Sequence, residues 1–237
     1  MTTVVLLRHG LTAMTGPVLA GRTPGVHLDD RGRAQADAVA ARLSGVTLAA
    51  LVASPLERCQ ETVAPIAAAT GLTVATEPRL VECGYGDWTG QELKTLAKDP
   101  LWRVVQSHPS GVTFPGEGGE SLRGAQARAV DAVRSWNARL GPDAVWLACS
   151  HADIIKSIVA DALGLHLDEF QRIVVDPCSV TVVNYTPTRP FVVRVNDSGT
   201  DLATLLAPPK RQKGGRRAAS SGDAPVGGGA GSSGAPN

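Results

Sequence analysis

Val4-Val5-Leu6-Leu7-Arg8-His9-Gly10 decides the fold. The apolar run, taken as Thr3–Leu7, reads as a short buried strand, and an arginine and a histidine emerge side by side from its end. Two further stretches repeat the arrangement. Leu51-Val52-Ala53 runs into Ser54-Pro55-Leu56-Glu57-Arg58, and Val145-Trp146-Leu147-Ala148-Cys149 runs into Ser150-His151. Ligands of open α/β sheets bind beyond the carboxyl ends of the strands, so the two arginines and two histidines can converge on one anion. Phosphate is the first candidate.

Around these strands the chain alternates strand-like and helix-like segments. Asp29-Asp30 predicts a capped helix through about Leu43. A strand near Ala50–Ala53 leads through Ser54-Pro55, with proline in the first turn, into a helix that ends before Gly71. Thr73–Ala75 reads as a short strand. Residues 77–118 read as irregular, with at most one short helix near Glu92–Lys98. A helix from about Ser121 to Leu140 precedes the strand Val145–Cys149. Asp153 is expected to cap the next helix, which carries a broad apolar face before Gly164. Val180–Asn184 and Phe191–Val195 complete the strands, at the sheet edge. The alternation predicts an α/β fold in three layers, a mainly parallel central sheet with helices on both faces.

Composition narrows the classes. Of 237 residues, 43% are hydrophobic and 19% charged, which supplies a large core. No stretch approaches the ~18 apolar residues of a membrane helix, and Val4–Leu7 is too short for a secretory signal, so a cytoplasmic protein is expected. Cys59, Cys83, Cys149 and Cys178 lie far apart without a C-x-x-C pair, which excludes the usual zinc and disulfide patterns; buried free thiols are expected, with a redox role for Cys59 and Cys83 left open. The net charge of +1 divides unevenly. Lys210, Arg211, Lys213, Arg216 and Arg217 face Asp223 alone beyond Pro208, so the preceding residues are net acidic. The expected organisation is one domain over 1–207 and a disordered, basic Pro/Gly/Ser-rich tail over 208–237. No nucleic-acid or membrane partner is expected from that basic cluster.

The four strand-end groups suit phosphoryl transfer, which needs a nucleophile, in-line geometry and neutralised oxygens. His9 can attack through one ring nitrogen while a nearby carbonyl holds the other. Arg8 and Arg58 would clamp the equatorial oxygens with planar forks. His151 would add a further donor. Glu82, in Leu80-Val81-Glu82-Cys83-Gly84-Tyr85-Gly86-Asp87-Trp88, is the candidate acid for the leaving alkoxide. Each has a bland counterpart: a structural histidine, an Arg58–Glu61 helix pair, a surface carboxylate. Their joint placement favours a site, because clustered positive groups repel without an anion to bind.

The motifs, in order, resemble the histidine phosphatase superfamily in its phosphoglycerate mutase-like branch. They are Leu7-Arg8-His9-Gly10; Gly21-Arg22 with Gly25; Leu28-Asp29-Asp30-Arg31-Gly32-Arg33-Ala34-Gln35-Ala36; Ser54-Pro55-Leu56-Glu57-Arg58 to Glu61-Thr62; Glu82 with Gly86-Asp87-Trp88-Thr89-Gly90; Gly119-Glu120-Ser121; and Ser150-His151. The resemblance covers about residues 3–163. It implies a phosphohistidine at His9, a phosphate pocket from Arg8, Arg58 and His151, Glu82 as proton donor, and Arg22 as a lid or substrate contact. It also implies no metal and no cofactor. Departures are Leu11 after the Arg-His-Gly triplet, Thr15 where many relatives place a phosphate-touching asparagine, and Ala152 for the usual glycine after the second histidine. Cys83 stands where true mutases carry an arginine, and Lys94, Lys98 and Arg103 are the only cations of the following loop before Phe114.

The expected function is a metal-independent phosphomonoesterase acting on a small phosphorylated metabolite, with Thr15, Arg22 and Ala152 as substrate contacts. A phosphomutase is the alternative within the same chemistry, disfavoured by the missing arginine and the sparse loop cations. A non-catalytic phosphate-binding module is the alternative of another class. Trp88, Trp102 and Phe114 stand between pocket lining and core packing. A homodimer stays open.

Overall fold

The computed structural model describes residues 1–200, 223–224 and 226–231. Six strands form one sheet: β1 (Thr2–Arg8), β2 (Ala50–Ala53), β3 (Val74–Thr76), β4 (Val145–Ser150), β5 (Val180–Tyr185) and β6 (Pro190–Asp197), in the order β3-β2-β4-β1-β5-β6. The first four run parallel, while β5 is antiparallel to β1 and β6 to β5. The expected α/β sheet is therefore present, with an antiparallel edge.

Alternation along the strands builds two cores. Val4 and Leu6 of β1, with Trp146 and Ala148 of β4, face one layer; Val5 and Leu7, with Leu147 and Cys149, face the other. The second layer holds α1 (Asp30–Arg42) and α2 (Glu57–Thr70), which contribute Val39, Val63 and Ile66. On the first lie α5 (Leu122–Leu140) and α6 (Ala152–Leu163). Between α2 and α5 come two short helices, α3 (Leu93–Leu96) and α4 (Pro100–Ser107).

Helix ends follow local chemistry. The Asp29 carboxylate accepts from the Gly32 N–H at 2.8 Å and starts α1. Gly71 and Gly164 close α2 and α6 in the left-handed region, at φ 72° and 67°.

Three expectations differ. Residues 77–118 contain α4, unforeseen although Asp99 caps it by accepting from Leu101 N–H at 2.8 Å and Pro100 begins it. Asp153 is not a cap: His151 occupies that position, and Asp153 is 2% exposed inside the first turn. Pro55 precedes α2, whose cap position is Leu56. Trp88, Trp102 and Phe114 all belong to the core, with Trp88 stacked on Trp102 at 6.2 Å between centroids. Of the segment expected to be a tail, most lies outside the described residues, but Asp223 and Ala224 bond Trp102 and Gln106 of α4, and Gly227–Gly229 accept from Arg8 at the end of β1.

Candidate active site

Register carries the strand-end groups together. Arg8 pairs with Ser150 across β1 and β4, and Ala53 with Cys149 across β2 and β4. Beyond these pairs the His9 N–H donates to Ser150 O at 3.0 Å and the Ser54 N–H to Cys149 O at 2.9 Å. Arg58 enters from the first turn of α2 and Glu82 from the loop after Leu80. Arg8, His9, Arg58 and Glu82 then line one cleft together with Thr12, Thr15 and Tyr85.

The His9 ring is oriented by its own loop. Nδ1 lies 2.8 Å from Gly10 O, and a carbonyl only accepts, so Nδ1 carries the proton. Nε2 then bears a free lone pair. Burial, with the Arg58 and Arg8 guanidinium charges, pushes the His9 pKa well below the ordinary histidine value, so the ring is neutral near pH 7. The loop is locked from outside: Gly10 N–H donates to Thr62 Oγ1 at 3.0 Å, Leu11 N–H to Gln35 Oε1 at 3.0 Å, and Asp29 N–H to Leu11 O at 3.0 Å. A side chain on Gly32 would place its Cβ 2.0 Å from Leu11 O, so only glycine admits this approach.

His151 is fully buried, its ring edge-on to His9 at 5.2 Å between centroids. Its Nε2 lies 2.8 Å from Ser54 Oγ and its Nδ1 3.4 Å from Arg58 Nη2. An arginine only donates, which makes Nδ1 the acceptor and Nε2 the donor toward Ser54. Burial first, then the Arg58 charge, holds this imidazole neutral too.

Arg58 is 2% exposed and spends Nη2 on Gly21 O at 2.7 Å. Its Nε and Nη1, and Nε of Arg8, are buried without a hydrogen-bond partner among the described residues. Buried cationic donors left unpaired cost free energy, and an oxyanion in the cleft is the chemistry that would take them. Arg58 makes no ion pair with Glu61, whose carboxylate instead bonds His27 and the Leu28 N–H.

Glu82 is 4% exposed, and its pKa is pushed up to about 7. Burial is the main cause, repulsion from Asp153 the next; the Cys83 N–H and the two arginines pull the other way. A fraction of this carboxyl therefore stays protonated at neutral pH. Two residues fix its surroundings, Arg128, which the sequence did not single out, and Asp153, which it offered only as a helix cap. Arg128, from α5, donates to Arg79 O, Val81 O and Glu82 O at 2.6, 2.7 and 3.1 Å and grips the loop backbone. Asp153 accepts from Tyr85 Oη at 2.8 Å and pairs with buried Lys156 at 3.4 Å. Only the Gly119-Glu120-Ser121 motif hinted at Arg128, through Glu120, which that arginine holds at 2.7 Å.

The remaining sequence candidates fall at different depths. Thr15 lines the cleft, with Oγ1 accepting from Thr12 N–H at 3.0 Å. Arg22 is turned to the loop: Nε donates to Glu82 O at 2.7 Å and Nη2 to Glu120 at 2.8 Å. Ala152 begins α6 and is fully buried. All four cysteines are free and buried. Burial holds the Cys83 and Cys149 thiols well above the ordinary value and Cys178 at about 12, far from thiolate reactivity. Among the described residues no group of three His, Cys, Asp or Glu could hold a metal ion. No described helix is long and apolar enough to cross a membrane.

An antiparallel edge on a parallel sheet, with histidine, arginine and glutamate gathered at its carboxyl ends, defines a phosphoryl-transfer class of α/β protein. The chain belongs to the histidine phosphatase superfamily (branch 1), whose profile matches residues 4–198. Over 81 residues it is 49% identical to the uncharacterized protein Rv0525 of Mycobacterium tuberculosis, a match spanning 34% of this chain and 40% of that one. It is 30% identical over 207 residues to phosphoserine phosphatase 1 of Hydrogenobacter thermophilus, covering 83% of this chain and 92% of the relative. Among solved structures it resembles the mycobacterial glucosyl-3-phosphoglycerate phosphatase Rv2419c, with TM-score 0.72, 26% identity, and 82% and 98% of the two chains covered.

Proposed function

We propose that this chain is a phosphatase that hydrolyses the monoester of a small phosphorylated metabolite through a phosphohistidine. The observation that carries it is the tautomer of His9: Nδ1–H bound to Gly10 O leaves Nε2 bare, beside unpaired arginine donors and a carboxyl with a pKa of about 7. Nε2 attacks phosphorus as the ester P–O bond breaks, and the equatorial oxygens take the Arg58 donors and Arg8. The departing alkoxide takes the Glu82 proton. Water then attacks phosphorus, giving its proton back to Glu82, as the Nε2–P bond breaks and its electron pair returns to His9, and phosphate leaves. No redox change occurs and no further reactant enters.

Thr15 serves at the cleft wall and the Ala152 backbone at the start of α6, while Arg22 holds the Glu82 carbonyl. His151, expected as a further phosphate donor, has both ring nitrogens engaged by Ser54 and Arg58 and acts instead by positioning the Arg58 guanidinium. The catalytic unit is residues 1–207, and the free, buried cysteines fit the reducing cytoplasm. The names of the relatives make phosphoserine and glucosyl-3-phosphoglycerate the first substrates to assay.

Hydrolysis of p-nitrophenyl phosphate in EDTA, by wild type and His9→Ala, tests this function, with acid-labile phosphoenzyme trapped in parallel. Turnover and label should both vanish in the variant, since no second group is placed to attack. A His9→Ala protein that turns over at the wild-type rate ends the mechanism.

A further inference from the structure

The stretch Val226-Gly227-Gly228-Gly229-Ala230-Gly231 has the composition of a linker, yet it runs through the cleft. Val226, Gly227 and Gly229 line it together with His9, Arg58 and Glu82, and Val226 is 2% exposed within the core. The approach is fixed at several points. Trp102 Nε1 donates to Asp223 Oδ2 at 3.0 Å. Gln106 bonds Ala224 on both sides, at 2.8 and 2.9 Å. The Gly227 N–H donates to Asp153 Oδ2 at 3.1 Å.

What the segment does next concerns Arg8. Nη1 of that arginine donates to Gly228 O at 2.7 Å and to Val175 O at 2.8 Å; Nη2 donates to Gly229 O at 2.8 Å and Gly227 O at 3.4 Å. Both terminal nitrogens of the fork are thereby occupied, and three successive carbonyl oxygens sit where an oxyanion would receive them. Arg58, by contrast, keeps Nε and Nη1 unpaired. The backbone that achieves this demands glycine: φ is 72°, 83° and 52° at Gly227, Gly228 and Gly229. A Cβ on Gly228 would lie 2.1 Å from the Ala152 Cβ and 3.1 Å from Arg8 Nη1.

We infer that residues 226–231, approached through Asp223 and Ala224, form an autoinhibitory strap, whose glycine carbonyls compete with substrate phosphate for the Arg8 fork. The inference rests on Arg8 being a phosphate ligand, as in the function proposed above. Phosphate and strap exclude one another at Arg8, so apparent phosphate affinity equals the intrinsic affinity scaled by the fraction of molecules with the strap released. Neutral carbonyls bound to a buried cation are a weaker match than a phosphate dianion, which lets substrate displace them.

The test uses the full-length chain with Gly228→Val, which cannot adopt the seated path, and Gln106→Ala, which removes only the anchor at Ala224. Orthophosphate binding is measured by calorimetry and p-nitrophenyl phosphate hydrolysis by kcat/KM. With a strap seated nine-tenths of the time, Gly228→Val tightens orthophosphate on the order of tenfold and raises kcat/KM equally, and Gln106→Ala does both to a smaller degree. A synthetic peptide of residues 223–231 then competes with orthophosphate on Gly228→Val. Phosphate affinity unchanged or weakened in both variants, each still melting cooperatively, overturns the strap, as does a fall in kcat/KM. If phosphate tightens in the variants but no protein hydrolyses any ester, the strap stands and the catalytic reading fails. If His9-dependent hydrolysis is present but neither quantity moves, the strap fails alone.

Discussion

Replacing Glu82 with glutamine should separate stability from catalysis in one variant. The carboxyl titrates at about 7 in the fold against 4.5 as its ordinary value. A raised acid pKa means that the folded chain binds the extra proton between those values, so the group's contribution to stability is complete below about pH 4.5 and is lost as pH rises through 7. At ~1.4 kcal/mol for each tenfold change in equilibrium, the loss amounts to about 3 kcal/mol by pH 8. Glutamine cannot ionise, and its amide oxygen can keep the bond that Glu82 Oε1 accepts from the Cys83 N–H at 2.9 Å. Urea melts should therefore show Glu82→Gln close to wild type at pH 4.5 and more stable by roughly 2–3 kcal/mol at pH 8. The same variant should lose about 100-fold or more on an alkyl phosphate, whose leaving alkoxide needs a proton, and far less on p-nitrophenyl phosphate. A stability difference independent of pH would refute the buried, proton-holding carboxyl. Equal rate losses on both esters would refute its role as acid.

Further outcomes follow from the same geometry. Asp153→Asn removes the charge that helps lift the Glu82 pKa, so the alkaline limb of kcat/KM for an alkyl phosphate should move to lower pH; an unmoved limb would assign the lift to burial alone. Arg58→Lys keeps the charge but loses the fork, and kcat/KM should fall about 10–100-fold; a wild-type rate would remove Arg58 from the phosphate clamp. Gly32→Ala forces a methyl toward Leu11 O, a 2.0 Å approach, and should cost about 2 kcal/mol or more in urea melts while displacing the His9 loop; wild-type stability and rate together would show that α1 does not hold that loop.

The parts of the fold legible in the sequence are those in which one residue does one local job. Asp29 caps α1, Gly71 ends α2, and Ala50–Ala53 is a strand with the boundaries its apolar run suggests. Helix α4 escaped because eight residues between two other short elements give too little periodicity to read, although Asp99-Pro100 was a start signal. Asp153 misled for a related reason: an aspartate near a helix start is usually a cap, whereas here its carboxylate turns inward to Tyr85 and Lys156. The site was legible as a set of side chains at strand ends, because β register is a sequence-level constraint. Its electrostatics were not. The Glu82 pKa depends on burial beneath a loop gripped by Arg128, a contact 46 residues away in sequence.

The glycine run from Gly227 to Gly229 exposes the deeper limit. Composition assigns such a segment to a solvated linker because it offers no side chains to bury. Backbone carbonyls, however, are strong acceptors at every residue, and a buried guanidinium has five donors to satisfy. With only Val175 O nearby, Arg8 would leave most of its fork unpaired, a costly state in a buried site. Glycines supply the carbonyls at Arg8 because they alone can bring consecutive backbone oxygens so close at positive φ. The arginine and the glycine run are therefore complementary halves of one contact, separated by about 220 residues and unreadable from either half alone.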